Sequence, residues 1–287
     1  MNAPLNISVK IEDPLTRSIT LLHPLQWLAL AWRDMARCGW ISFAHGSVLA
    51  ILGGLLLLVA HDRFWLLAGA FSGFMVIAPV LATSFYALSR ALERGEQANF
   101  ALVRKVWVSW QQSHANKWGN DYWALVQFGS LLALAALGWM LTSAAFVTLF
   151  TPLPVNSPLE FVHYVVLAKD GFVFELWLGL GGLLAAPMFA SSVVSIPLLL
   201  DRQVTLKQAV LTSWRTVLAN PGPMAFWAFL IMGFTLLGLA SLLLGLIPIM
   251  PMLGHASWHA YRDLVDVSDL PERTPRPESK PLTEASR

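Results

Sequence analysis

The sequence predicts an all-α membrane protein: a six-transmembrane-helix bundle built from three repeats of an interfacial helix plus a helical hairpin, with both termini cytoplasmic. Three observations predict it. The 287 residues are 56% hydrophobic and only 13% charged, with a mean hydropathy of +0.60, whereas a soluble domain carries roughly 25% charged residues. Several stretches reach the ~20 apolar residues that cross a ~30 Å hydrocarbon core. The chain also repeats itself around a Gly-x5-Pro pattern.

Residues 1–17 are read as a disordered N-terminus, and residues 18–266 as the six-span membrane domain. The first unit, about 18–95, opens on "AWRDMARCG", with Trp32 as an interfacial anchor, and continues into spans near Trp40 to Ala60 and Trp65 to Leu88. These spans are too numerous, and the first too far from the N-terminus, for a cleaved signal peptide to explain them. The second unit, about 96–203, starts with the stripe Phe100, Val103, Trp107 and Trp110, interrupted by Arg104 and Lys105. Its spans lie near Tyr122 to Leu149 and Phe172 to Leu200.

The third unit, about 204–266, begins "TLKQAVLTSWRTVLANPG". There Leu206, Val210, Trp214 and Val217 recur at helical spacing, with Lys207, Gln208, Ser213 and Arg215 opposite them. Thr205 and Gln208 fit a capping box, and Asn220-Pro221 stops the helix. About thirty uncharged residues follow, Met224 to Gly254, either one over-long helix or a tight hairpin. Lysine and arginine are retained on the cytoplasmic side, and a hairpin turning near Leu239 to Ser241 places all but Arg63 and Lys169 of the 19 basic residues there. The hairpin is therefore preferred. The Pro-rich, charged residues 267–287 read as a disordered tail.

The repeat itself is "GFMVIAPVLATS", "GGLLAAPMFASS" and "GLIPIMPMLGHA". Gly73, Gly181 and Gly245 each stand six residues before Pro79, Pro187 and Pro251. Arg90 and Arg262 fall at the same offset in the first and third copies and read as interfacial. Glycine lets helices approach closely, and proline within a span frees a carbonyl and bends the helix. Four residues after each proline stands a polar residue, Thr83, Ser191 or His255.

His255 and His259, one turn apart, join Thr83, Ser191 and His45 as a candidate polar cavity. The two imidazoles share one helix face, and with His45 could form a three-histidine site. The competing reading, beside Trp258, Tyr261 and Arg262, is an aromatic and basic membrane belt, and no metal or cofactor is expected. The single cysteine, Cys38, excludes intrachain disulfides, all-cysteine zinc sites and CxxCH haem attachment. A net charge of +2 spread between apolar segments argues against a nucleic-acid partner. There is no Gly-x-Ser-x-Gly elbow, HExxH, P-loop or GxGxxG, and no span holds a central Asp, Glu, Lys or Arg to serve as the relay of a proton-coupled pump.

The stretches "PVLATSFYALSRALERGE", "SVVSIPLLLDRQVTLKQAVLTSWRTVLANPGPMAFWA" and "PMLGHASWHAYRDLV" resemble an uncharacterised family of bacterial integral membrane proteins. That family carries a domain of unknown function, and some members are labelled putative cytochrome c oxidase subunit I. The resemblance covers about Arg17 to Asp266. It implies a multi-span inner-membrane protein of proteobacterial type, with no established activity, cofactor or catalytic residues. A haem-copper oxidase core resembles a twelve-span protein with six ligand histidines. Here there are half the spans and seven histidines in all, four of them, His23, His61, His114 and His163, outside the spans. Three functions follow: a non-enzymatic structural, assembly or regulatory component with an unidentified membrane partner; a carrier or channel for a small or lipid-like solute; and, least supported, a haem or metal redox protein. All three place the chain in the lipid bilayer.

Overall fold

The computed structural model describes residues 15–60, 63–113, 123–168 and 172–273. The architecture is helical throughout apart from one short strand pair. In chain order come β1 (Leu15–Thr16), α1 (His23–Cys38), α2 (Trp40–Ala60), α3 (Phe64–Leu81), α4 (Thr83–Glu93), α5 (Phe100–Ser113) and α6 (Trp123–Phe150). There follow α7 (Pro158–Phe161), α8 (Val173–Ser192), α9 (Ser195–Asp201), α10 (Leu206–Ala219), α11 (Pro221–Ala240), α12 (Leu246–Leu264) and β2 (Val265–Asp266). A π-helical turn, Val162–Val166, extends α7. Among the described residues four helical stretches are long and apolar enough to cross a membrane: Trp40–Val59, Ala124–Phe150, Val173–Asp201 and Pro221–Ala240. Leucines and valines on them stand in the open, Val59 at 82% and Leu149 at 78% exposure, as helices surrounded by lipid require.

The amphipathic α1 buries Trp27, Ala31, Asp34, Met35 and Cys38 on one face, at the spacing of a helix stripe. It ends at Gly39, whose φ of +59° favours glycine and whose N–H bonds the Met35 carbonyl. The capping box on α10 forms in both directions, Gln208 N–H to Thr205 Oγ1 at 3.3 Å and Thr205 N–H to Gln208 Oε1 at 3.0 Å. The apolar stripe on α10, however, is only half-buried, and the small polar Thr212, Ser213 and Thr216 face inward. Ser213, read as solvent-side, accepts the Val194 N–H at 3.2 Å. That amide lies at the break between α8 and α9, where a helix end leaves backbone donors without partners.

The uncharged run from Met224 is a hairpin. Ser241 closes α11, its hydroxyl accepting the Gly245 N–H at 2.8 Å and donating to the Gly238 carbonyl. Leu242 and Leu243 take positive φ in the turn. The returning α12 is the hub, packed against α1, α2, α4 and α11. A Cβ on Gly46 of α2 would overlap the Ile247 carbonyl oxygen and stand 2.7 Å from its Cα. Backbone cannot give way there, so Gly46→Val is expected to cost about 3 kcal/mol, the upper end of overpacking, read as a lowered melting temperature in detergent.

The three Gly-x5-Pro copies differ. The α3–α4 interruption at Ala82 follows Pro79 closely, the α8–α9 break comes at Val193 and Val194, and α12 runs unbroken through buried Pro251. Gly181 packs against Trp139 and Gly245 against Ser241 and Gly238, while a Cβ on Gly73 would meet open space.

The chain ends are more ordered than their composition suggests. Leu15–Thr16 pairs antiparallel with Val265–Asp266, and Arg17 bonds Asp266 at 2.8 Å. Asn220, 3% exposed, clamps this strap, accepting the Ile19 N–H and donating to the Arg17 carbonyl. Val267 and Leu270 are buried, and Glu272 bridges to Arg202. Residues 15–17 and 267–273 thus belong to the folded body. Residues 1–14 and 274–287, the rest of the ends read as disordered, lie outside the described residues.

Candidate functional site

A buried polar chain links four helices. On α1, Asp34 shares the face of Trp27 and Ala31; α2 brings Ser42, α4 brings Ser89, and α12 brings His255 and His259 one turn apart. Ser89 Oγ donates to Asp34 Oδ2 at 2.6 Å. Its lone pair therefore accepts from His255 Nδ1 at 2.7 Å, which leaves Nε2 of His255 to accept the Ser42 hydroxyl at 3.0 Å. His259 Nε2 donates to the same Asp34 oxygen at 2.9 Å. His255 and Ser42 are fully buried, Ser89 is 1% and Asp34 6% exposed, so each group needs the partner it has. Burial pushes the Asp34 carboxyl up, but the hydrogen bonds from His259 and Ser89 outweigh it and hold the group below its ordinary range.

His45 stands apart from this chain, its Nδ1 donating to the Ile41 carbonyl at 2.8 Å. The Phe85 ring separates it from His255, 5.2 Å from one imidazole and 5.3 Å from the other. Among the described residues no group of three or more His, Cys, Asp or Glu side chains is placed to hold a metal ion. The histidine pair is instead tied to a carboxylate and two serines.

Cys38, 5% exposed, lies at the corner between α1 and α2. Burial pushes its thiol up to about 11, so its thiolate fraction at neutral pH falls on the order of 100-fold. Maleimide labelling of the folded protein is expected to be slow and to become rapid when the α1–α2 corner is opened by denaturant. Fast labelling of the native protein would contradict this packing.

Beside the polar chain lies an apolar cavity of about 120 Å³, partly open, bounded by α2, α3, α4, α8, α11 and α12. Leu49, Phe74, Phe85, Phe189, Trp227, Met250 and Leu253 supply most of its wall, and Ser192, Thr235, Ser257 and Tyr86 its polar groups. Among the described residues no charged side chain lines it. Gly254 is needed where it stands, because a Cβ there would strike the Phe85 ring.

The residues singled out from the sequence divide between these features and the packing around them. His255 and His259 join one network. Thr83 is fully buried at the start of α4, and Ser191 accepts the Trp214 indole N–H at 2.9 Å; neither lines the cavity, where their neighbours Ala82 and Ser192 do. Trp32 is 61% exposed; the side chain of Trp110 lies outside the described residues.

Arg90, expected at the interface, is buried instead. It donates to the Leu200 carbonyl at 3.0 Å and stands 3.8 Å from Asp201. Asp201, 2% exposed, also faces Arg94 at 3.6 Å and Arg202 at 3.0 Å and accepts the Tyr261 hydroxyl at 2.9 Å. Glu272 meets Arg94 at 3.2 Å, so this clasp holds the C-terminal segment onto α4 and α9. Arg262 pairs with Glu93 at 2.9 Å.

Asp34, Ser42, Ser89 and Asp201 were not singled out from the sequence. Asp34 left a signal, a lone carboxylate on the apolar face of an amphipathic helix. The serines left none, since hydroxyls occur throughout membrane helices.

A family model described as "Predicted integral membrane protein (DUF2189)" matches residues 66–201. The matched stretch, from the first turn of α3 to the end of α9, is similar to that uncharacterised integral membrane family. It includes Ser89, Arg90 and Asp201 and stops short of α12. No curated protein and no solved structure matches the chain.

Proposed function

We propose that this integral membrane protein is a non-enzymatic component of the bacterial inner membrane that binds a small lipid-like solute between its helical hairpins. Six spans and cytoplasmic termini complete the proposal. The observation that carries it is the cavity at the meeting of α2, α3, α4, α8, α11 and α12, apolar and with no charged group among the described residues, the usual character of a small-molecule site. It also lies where the α3–α4 and α8–α9 interruptions fall, at Ala82 and Val193.

The alternative of a partner-binding scaffold relied on interfacial helices and a free tail. Here α10 turns its small polar face into the protein, Trp214 is bonded to Ser191, and the chain as far as Arg273 is clasped against α9. The inward face of α10 and residues 267–273 are committed internally.

Support for six spans comes from α1, α5 and α10 each preceding a helical hairpin, and from the basic residues gathering at one end of each hairpin. Reporter fusions at both termini are expected to read cytoplasmic, and fusions after Arg63 and after Leu153 to read external. A C-terminal fusion reading external would overturn the six-span topology. The binding reading is tested in membranes with an alkyl diazirine probe. Photolabelling is expected on peptides holding Leu49, Phe189 and Met250 and is expected to vanish in Leu253→Trp, which fills the cavity. Labelling confined to the outer faces of α2 and α6, unchanged by that substitution, would overturn it.

A further inference from the structure

The polar groups of the cavity wall differ in what they already bond. The Thr235 hydroxyl is committed to the Ile231 carbonyl at 2.7 Å, Ser257 to the Leu253 carbonyl at 2.8 Å, and Ser192 to the Phe189 carbonyl at 3.4 Å. The Tyr86 hydroxyl lies on the same wall, close to Ser257. Trp227 is different: it lines the cavity, is fully buried, and its indole Nε1 has no hydrogen-bond partner among the described residues. The neighbouring Trp27, edge-on at 5.5 Å, spends its own N–H on Asp263 at 2.7 Å. A buried donor left without an acceptor is costly, and tryptophan is usually partnered when buried. An acceptor oxygen on a bound molecule would supply what the protein does not.

Three properties define that molecule. No cation lines the cavity, so a carboxylate or phosphate would enter an apolar wall uncompensated, at a prohibitive desolvation cost. The volume, about 120 Å³, is near that of the ~150 Å³ engineered cavity that takes benzene, which limits the enclosed part to a ring or a six-carbon segment. The partial opening lets a longer tail continue outward.

We propose that the cavity holds the uncharged, ring-sized, carbonyl-bearing end of a lipid-like molecule, its oxygen accepting the Trp227 N–H and its alkyl tail leaving toward the bilayer. This rests on the solute-binding reading above and narrows it from any apolar molecule to one with an acceptor oxygen at its buried end.

The test uses the full-length protein in lipid nanodiscs, with empty nanodiscs as the blank. The probes are 4-octylcyclohexanone and octylcyclohexane, which differ by the oxygen, each competed against a fluorine-tagged ketone followed by ¹⁹F NMR. The ketone is expected to bind about tenfold more tightly than the hydrocarbon, the worth of one hydrogen bond. Trp227→Phe is expected to remove that preference, so that the two probes bind it equally. Thr235→Val, which keeps the indole, is expected to retain it and guards against a general loss of packing. Equal binding of both probes, or a preference that survives Trp227→Phe, would overturn the indole anchor while leaving the cavity a solute site. Binding of neither probe above the blank would overturn the anchor and the solute-binding reading together.

Discussion

Asp34→Ala is expected to destabilise the protein by about 3–5 kcal/mol, the range for removing one member of a buried, hydrogen-bonded charged set. The carboxylate accepts from His259 at 2.9 Å and Ser89 at 2.6 Å, and Ser89 in turn orients His255. Its loss leaves His259 facing a void and frees Ser89 to turn its proton onto His255 Nδ1, which disturbs the Ser42 contact on α2. Four helices therefore loosen together. The pH dependence has a definite sign. Because the folded carboxyl titrates below its ordinary range, its contribution is complete above about pH 4 and is lost as the pH falls through the folded value. Melting curves of the purified protein across the acid range are expected to show that limb in the native chain and not in Asp34→Ala. An Asp34→Ala protein as stable as the native one at pH 7 would mean that the polar chain is not a structural joint.

The second large effect is expected at Asp201. Asp201→Ala removes the carboxylate that faces Arg90, Arg94 and Arg202 and accepts the Tyr261 hydroxyl, leaving three guanidinium groups gathered in a buried place. The expected cost is again about 3–5 kcal/mol, with a local consequence that distinguishes it from Asp34→Ala. The segment Val267 to Arg273 is held by Arg202 to the Leu270 carbonyl, by Arg94 to Glu272 and by the Arg273 N–H to the Asp201 carbonyl. Limited proteolysis is expected to cut Asp201→Ala near Leu270 at protease levels that leave the native protein intact. Glu272→Gln, which keeps the buried carboxylate, is expected to loosen the segment with little change in melting temperature. Equal resistance of Asp201→Ala and the native protein would contradict the clasp.

What was legible in the sequence was what local physics decides. The span Trp40–Ala60 is a helix at those residues because an uncharged apolar run bounded by Gly39 has no other stable form in lipid. The Thr205–Gln208 box and the stop at Asn220-Pro221 were readable for the same reason, whereas the hairpin before Leu246 was chosen on the sidedness of the basic residues. Long-range partners were not. Residues 15–17 and 267–273 have no helical pattern, and their order comes from pairing with each other and with Asn220 and Arg202, which lie far away in the chain. Arg90 was read as interfacial from the offset it shares with Arg262 in the repeat, and its burial depends on a carboxylate 111 positions on. The histidine pair was visible at its spacing, yet its partner Asp34 lies on the first helix. Periodicity within α10 gave the right helix but not its inward face, since Thr212, Ser213 and Thr216 are small enough to pack and polar enough to serve a helix break.

The polar chain and the cavity share a wall. Phe85 packs against His255 on one side and lines the cavity on the other, and Gly254 stands beside both. Whatever enters the cavity thus rests on the same helices that the Asp34 network fixes, α4 and α12. This is preorganisation of a site by rigid neighbours, and it ties the stability predictions to the proposed function.

The most direct measurement is the mass of the protein released intact from native-lipid nanodiscs, the native chain beside Leu253→Trp. The expected result is an added mass of one small uncharged lipid-like molecule on the native chain, absent from an equally well folded Leu253→Trp. A native chain carrying no added mass, or the same lipid adducts on both proteins, would contradict a solute held between the hairpins.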